Sequence, residues 1–192
     1  MPSTLRTFAA VAAVGVLLVS AGSNSLVAQE PSKSTAASST IPRLDDATIV
    51  AIFDNANTAD IETGKLASAR GHSKEVRQFG AMLARDHDMV RQQGRDLAKK
   101  LGVTPTPPAG DKSLEDQAAV IRQLSALNGA EFDRAFLQRE IQFHKDVIAA
   151  IKTTLLPAIN NAELKALVVK VAPAFEAHLQ MAENLGKQLA GK

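Results

Sequence analysis

Read in alternating steps of three and four, the chain collects Val76, Gly80, Leu83, His87, Val90, Gly94, Leu97 and Leu101 on one stripe. Residues three and four apart lie above one another on a helix, so this spacing predicts a helix with one face turned to a core. The same steps give Leu137, Ile141, His144, Ile148, Ile151 and Leu155. Further on they give Leu164, Val168, Val171, Phe175, His178, Ala182, Leu185 and Leu189. An earlier apolar stretch begins at "LDDATIVAIF" and places Ile52, Ala59, Glu62 and Leu66 on one face.

The breaks between these stripes carry cap and turn residues. Asp45 or Asp46 suits the first N-cap, Gly71 the first C-cap and Ser73 the next N-cap. The first helix therefore runs to about Arg70, and the second from 74 to about 101. Gly102 and "TPTPPAG" then stop the chain. "SLEDQAAVIRQLSAL" predicts a shorter helix with a capping box from Ser113 to Asp116. Asn128 opens a third long helix, "LLPAINN" turns the chain, and Asn160 with Glu163 starts the last, which contains Pro173. Four long helices with two short turns and one longer connection predict an all-α, antiparallel four-helix bundle. The short extra helix, in the connection between long helices two and three, is expected to pack across one end.

The N-terminal pattern is different. "FAAVAAVGVLLVSAG" (8–22) has the length of a secretory apolar segment and is shorter than the about 20 residues a membrane span needs. The reading is a signal peptide over 1–28, a Ser/Thr/Ala-rich flexible linker over 29–43 and a bundle domain over 44–192. The chain is then exported to the periplasm or envelope, or secreted, with no membrane span in its mature part.

Composition narrows the chemistry. Among 192 residues, 22 Lys and Arg stand against 20 Asp and Glu, a net charge of +2. The basic residues are scattered singly, so nucleic acid is not indicated. The absence of Cys and Tyr excludes disulfides, thiolate ligands and tyrosyl radicals. No nucleophile–base pair, phosphate loop or organic-cofactor motif is visible, which favours a binding or structural role over an enzyme.

Against that background the histidines stand out. Three of the four lie on predicted helices, and all three fall on core stripes. A core stripe takes roughly three of every seven positions, so chance places all three there about 8% of the time. With Glu62, each long helix offers one ionisable group to the interior: Glu62, His87, His144 and His178. Burying such groups unpartnered is costly, and three imidazoles with a carboxylate suit one zinc, copper, iron or manganese ion. Asp86 beside His87 and Glu140 one turn before His144 could orient a ring or ligate directly. Asp88 faces away from the stripe. The alternative is a non-catalytic envelope protein in which the histidines are a buried polar layer that sets helix register. Depth counts against the four-residue set. Glu62 is nine residues before the turn at Gly71 and His87 sixteen after it, an axial offset of about 10 Å.

Three segments carry a family resemblance: "IVAIFDNANTADIETGKLASARGHSKEVRQFGAMLARDHDMV", "LSALNGAEFDRAFLQREIQFHKDVI" and "VAPAFEAHLQMAENL". Over residues 45–190 the chain resembles a bacterial family of exported domains of unknown function with a ferritin-like four-helix bundle, often labelled outer membrane proteins. The resemblance implies architecture and export and supplies no activity. No alternating barrel strands support the membrane label. The pattern also departs from di-iron bundles, which use Glu-x-x-His; here Glu140 and His144 are spaced Glu-x-x-x-His.

Overall fold

The computed structural model describes residues 44–190; the expected signal peptide (1–28) and flexible linker (29–43) lie outside the described residues. Helix α1, Asp46–Arg70, starts where Asp45 turns its carboxylate back onto the Thr48 N–H at 2.8 Å. Helix α2, Lys74–Leu101, is capped by the Ser73 hydroxyl and ends at Gly102, whose φ of 65° is the left-handed conformation that suits glycine. In the turn between them Gly71 is the C-cap, its N–H bonded to the Ala67 carbonyl, with φ −53° rather than the left-handed conformation. The buried Asp133 carboxylate closes the turn further, accepting the His72 and Ser73 N–H groups at 2.8 Å each.

Helix α3, Ser113–Ser125, has no capping box; Asp111 accepts the Ser113 N–H at 3.0 Å. Helix α4, Gly129–Ala150, passes through one π-helical turn, Ile151–Leu155, into the short α5, Leu156–Ala158. Asn161 rather than Asn160 then caps α6, Ala162–Ala190, accepting the Glu163 and Leu164 N–H groups. Pro173 lies inside α6 and cannot donate to the Val169 carbonyl, which sits on an exposed residue. Among the described residues there is no strand, and the protein is an all-α bundle.

Side-chain pairs fix the helix directions. Gln93 meets Lys170 and Asp86 meets His178, so α2 and α6 are antiparallel. Lys145–Glu183 and Lys152–Glu176 make α4 and α6 antiparallel. Arg139–Asp60 and Arg70–Asn128 do the same for α4 and α1. Helices α2 and α4 are therefore parallel, and the connection between them must travel the length of the bundle, the single long crossover of ferritin-like folds.

This corrects the placement expected for α3. It does not lie across an end. Asn55 bonds Ser113, Gln117 bonds the Ala59 carbonyl, and Arg70 bonds the Ser125 carbonyl. The partners rise together along both helices, so α3 runs parallel to α1 on its outer side.

The interior has two apolar halves. One gathers Ile49, Phe53, Ala98, Ile151, Leu164, Val168 and Phe175. The other gathers Ala67, Val76, Phe79, Leu83, Phe132, Phe136 and Ala182. Every helix contributing to both passes through a polar level between them: Asn57, Asp60 and Thr63 on α1, His87 on α2, Arg139, Glu140 and His144 on α4, and His178 on α6, all buried. Next to this level α1 and α2 touch through glycines. A Cβ on Gly80 would stand 2.6 Å from the Gly64 carbonyl oxygen, closer than such atoms come.

Candidate metal centre

The three helical histidines meet in the polar level. His87 Nε2 is 3.1 Å from His178 Nδ1, and the ring centroids of His144 lie 5.7 Å from those of both others. One nitrogen from each ring falls within 4.8 Å of the others. Two nitrogens about 2.0–2.1 Å from one tetrahedral ion stand about 3.4 Å apart. The His87–His178 separation thus already approaches that of two ligands on one ion.

Hydrogen bonds decide which nitrogens carry lone pairs. His144 Nδ1 is 3.0 Å from the Glu140 carbonyl oxygen, which only accepts, so Nδ1 carries the hydrogen and Nε2 the lone pair. Asn57 donates its amide N–H to the Phe53 carbonyl at 2.8 Å. Its oxygen therefore accepts from His87 Nδ1 at 2.9 Å, which leaves His87 Nε2 as a lone pair. His178 Nε2 is 3.3 Å from a carboxylate oxygen of Asp86, so it donates, and its Nδ1 is the lone pair. Each ring is thus held from behind by an oxygen acceptor; His87 Nε2 and His178 Nδ1 meet at 3.1 Å, and the His144 ring, whose lone pair is on Nε2, brings a nitrogen within 4.8 Å of them. Nothing among the described residues bonds His144 Nε2. This is the arrangement by which second ring nitrogens fix metal-ligand tautomers.

Carboxylates adjoin it. Asp60 Oδ2 is 3.4 Å from His87 Nε2 and Glu140 Oε2 is 3.5 Å from His144 Nδ1; neither oxygen accepts a hydrogen bond among the described residues. Their other oxygens, Asp60 Oδ1 and Glu140 Oε1, each take a bond of 2.8 Å from Arg139 Nη1, and Thr63 donates to Glu140 Oε1 at 2.9 Å. The Arg139 guanidinium also lies over the Phe143 ring at 4.0 Å.

Burial, and then the neighbouring His144 and His178, pull the His87 pKa down to about 3. Burial and His144 also lower His178, against Asp86, which raises it. Burial raises Glu140 more than Arg139 lowers it. A depressed histidine stabilises the fold fully above its unfolded pKa of about 6.5 and loses that contribution as pH falls toward the folded value. Denaturant unfolding of the metal-free protein is expected to show about 2–3 kcal/mol less stability at pH 4.5 than at pH 7.5 from His87 alone. Glu140 acts oppositely, its contribution being lost as pH rises through its raised value. A His87→Asn variant is expected to flatten the acid-side loss; an equally steep loss would remove His87 as its source.

The position expected of Glu62 is corrected. It is exposed, and its carboxylate accepts from Gln117 of α3 at 3.1 Å. The face holding Ala59 and Glu62 is covered by α3, whereas the interior face of α1 runs through Phe53, Asn57, Asp60, Gly64 and Ala67. Asp60 is the α1 carboxylate that reaches the histidines. Asp86 sits where an orienting carboxylate is expected, and the ring it holds is His178, across the helix pair, rather than its neighbour His87. Asp88 is exposed and pairs with Arg91. Asn57, Asp60 and Arg139 escaped the sequence reading. The signal that finds the first two is the step of four and three from Phe53 to Ala67; Arg139 lies on the same kind of row through Phe132, Phe136 and Phe143. Depth agrees, since Asn57 lies fourteen residues before Gly71 and His87 sixteen after it.

Fold and site together define a ferritin-like helical bundle whose core is interrupted by a histidine–carboxylate layer. The chain belongs to the family described as Domain of unknown function (DUF4142), whose model matches residues 29–185. None of the curated proteins matches it by sequence. A solved structure, CopM in the Cu(II)-bound form, is similar to it with a TM-score of 0.59 and 14% identity over 76% of this chain and 98% of that one. At that identity the likeness shows the fold alone. No described helix is long and apolar enough to cross a membrane.

Proposed function

We propose that this protein binds one divalent transition-metal ion through His87 Nε2, His144 Nε2 and His178 Nδ1, with Asp60 Oδ2 as the adjoining oxygen. The convergence of three lone pairs whose rings are each held by an oxygen acceptor carries this reading. Imidazole nitrogens with one carboxylate suit copper(II), zinc or iron(II), and nitrogen donors bind copper(II) most tightly of the divalent series. Charge supports a divalent ion: Asp60 and Glu140 against Arg139 leave one buried negative charge beside neutral rings, and Asp86, itself paired with Arg85, adds a partly shared second. The copper of the similar CopM structure points the same way. With the apolar N-terminal segment, the role that fits best is metal handling or stress defence in the cell envelope, and no substrate-transforming step is assigned.

Titration of metal-free protein with copper(II), zinc, iron(II) or manganese is expected to give one equivalent of tightly held ion. At about a hundred times the dissociation constant this adds about 2.7 kcal/mol, or roughly 5–10 °C in melting temperature. His87→Ala and His178→Ala are expected to abolish the shift. An unchanged melting temperature with all four metals, or an equal shift in both variants, would leave the polar-layer role alone.

A further inference from the structure

We propose that Arg139 is a built-in cation that occupies the acidic half of the polar level and restricts the centre to a single metal ion. This rests on the histidine-centre reading and concerns a different set of groups. Asp60, Glu140 and His144, all buried, each offer one ligand atom within 4.8 Å of the others. With the His144 lone pair committed to the first ion, the two carboxylates remain as an oxygen-donor set of the kind that suits manganese(II) or iron(II). A guanidinium nitrogen bridges it instead, 2.8 Å from one oxygen of each carboxylate.

The remaining oxygens, Asp60 Oδ2 and Glu140 Oε2, accept no hydrogen bond among the described residues. The carboxylates are therefore only half used by the arginine. Arg139 itself is stacked on Phe143 and bonded to Thr63 as well, so it is packed in place rather than reaching in from solvent. One fixed positive charge where an exchangeable ion could sit lowers the cationic demand of the level. With Arg139 present, one fixed cation is shared by the buried Asp60 and Glu140 carboxylates. Without it the two buried carboxylates stand side by side with no cation between them, which is costly enough to draw one in.

The test counts bound manganese by elemental analysis after gel filtration, in four full-length proteins. Wild type is expected to hold one equivalent and Arg139→Leu two. His87→Ala/His178→Ala is expected to hold none, and the same pair combined with Arg139→Leu one, because Asp60 and Glu140 both remain. If the histidine-centre reading fails, wild type holds none, yet Arg139→Leu still gains one in both backgrounds. Two equivalents in wild type overturn the proposal, as does no gain on removing Arg139. Should Arg139→Leu be unfolded without metal, manganese is expected to restore its helical circular dichroism; failure to refold it likewise overturns the proposal.

Discussion

Metal-free Arg139→Leu is expected to unfold with about 3–5 kcal/mol less stability than the wild type, measured by denaturant titration. The loss exceeds that of an ordinary surface change because of what the substitution leaves behind. Arg139 is the one cation bonded to Asp60 and Glu140, both with side chains at 0% exposure. Removing one partner of a buried ion pair strands the other charges in a medium that solvates them poorly. Removing all of them together is a milder change. Arg139→Leu with Asp60→Asn and Glu140→Gln is therefore expected to recover a large part of the loss. A single variant no less stable than the triple would show that the network's charges are already screened or neutralised in the native state.

Gly80→Val is expected to cost about 3 kcal/mol or more, at the upper end of core overpacking. A Cβ there meets the Gly64 carbonyl oxygen at 2.6 Å, the Ser68 nitrogen at 2.7 Å and the Ala67 Cβ at 2.8 Å. The first two are backbone atoms, so no rotamer change relieves the clash and α1 must move away from α2. That movement also bears on the metal centre. Asn57 and Asp60 reach His87 across this helix pair, so separating the helices loosens the bond that sets the His87 tautomer. Metal affinity is expected to fall with stability in calorimetric titration. A destabilised variant that keeps full affinity would place the orienting force elsewhere than the α1–α2 contact.

Much of the fold was legible because the stripes on α2, α4 and α6 are continuous and their caps are explicit. His87, His144 and His178 fall on the interior by phase alone. Helix α1 defeated the same method for a physical reason. It packs against α2 and α4 on one side and α3 on another, so it is buried from Ile49 to Ala67 on more than one face. An almost fully covered helix has weak amphipathic phase, and Glu62 was placed inward on the face that α3 covers. Asp60, one polar residue among small ones, looked less conspicuous than Glu62 beside Leu66. Arg139 was missed because a buried arginine is rare unless paired, and its partner Asp60 had not been found. The course of α3 was hidden because connection length alone does not say whether a chain crosses an end or travels along a side. Only the directions of the long helices decide that.

The three imidazoles come from positions 87, 144 and 178, on three different helices that must all pack together before the nitrogens converge. The last of them sits on α6, later in chain order than the other two. On the proposed reading, a nascent chain carries no complete site until α2 packs against the α4–α6 hairpin, because that hairpin holds His144 and His178 and α2 supplies His87. Ion choice is then made where folding finishes, from whatever metals that compartment supplies. Address, as much as ligand chemistry, becomes a determinant of which metal the protein carries.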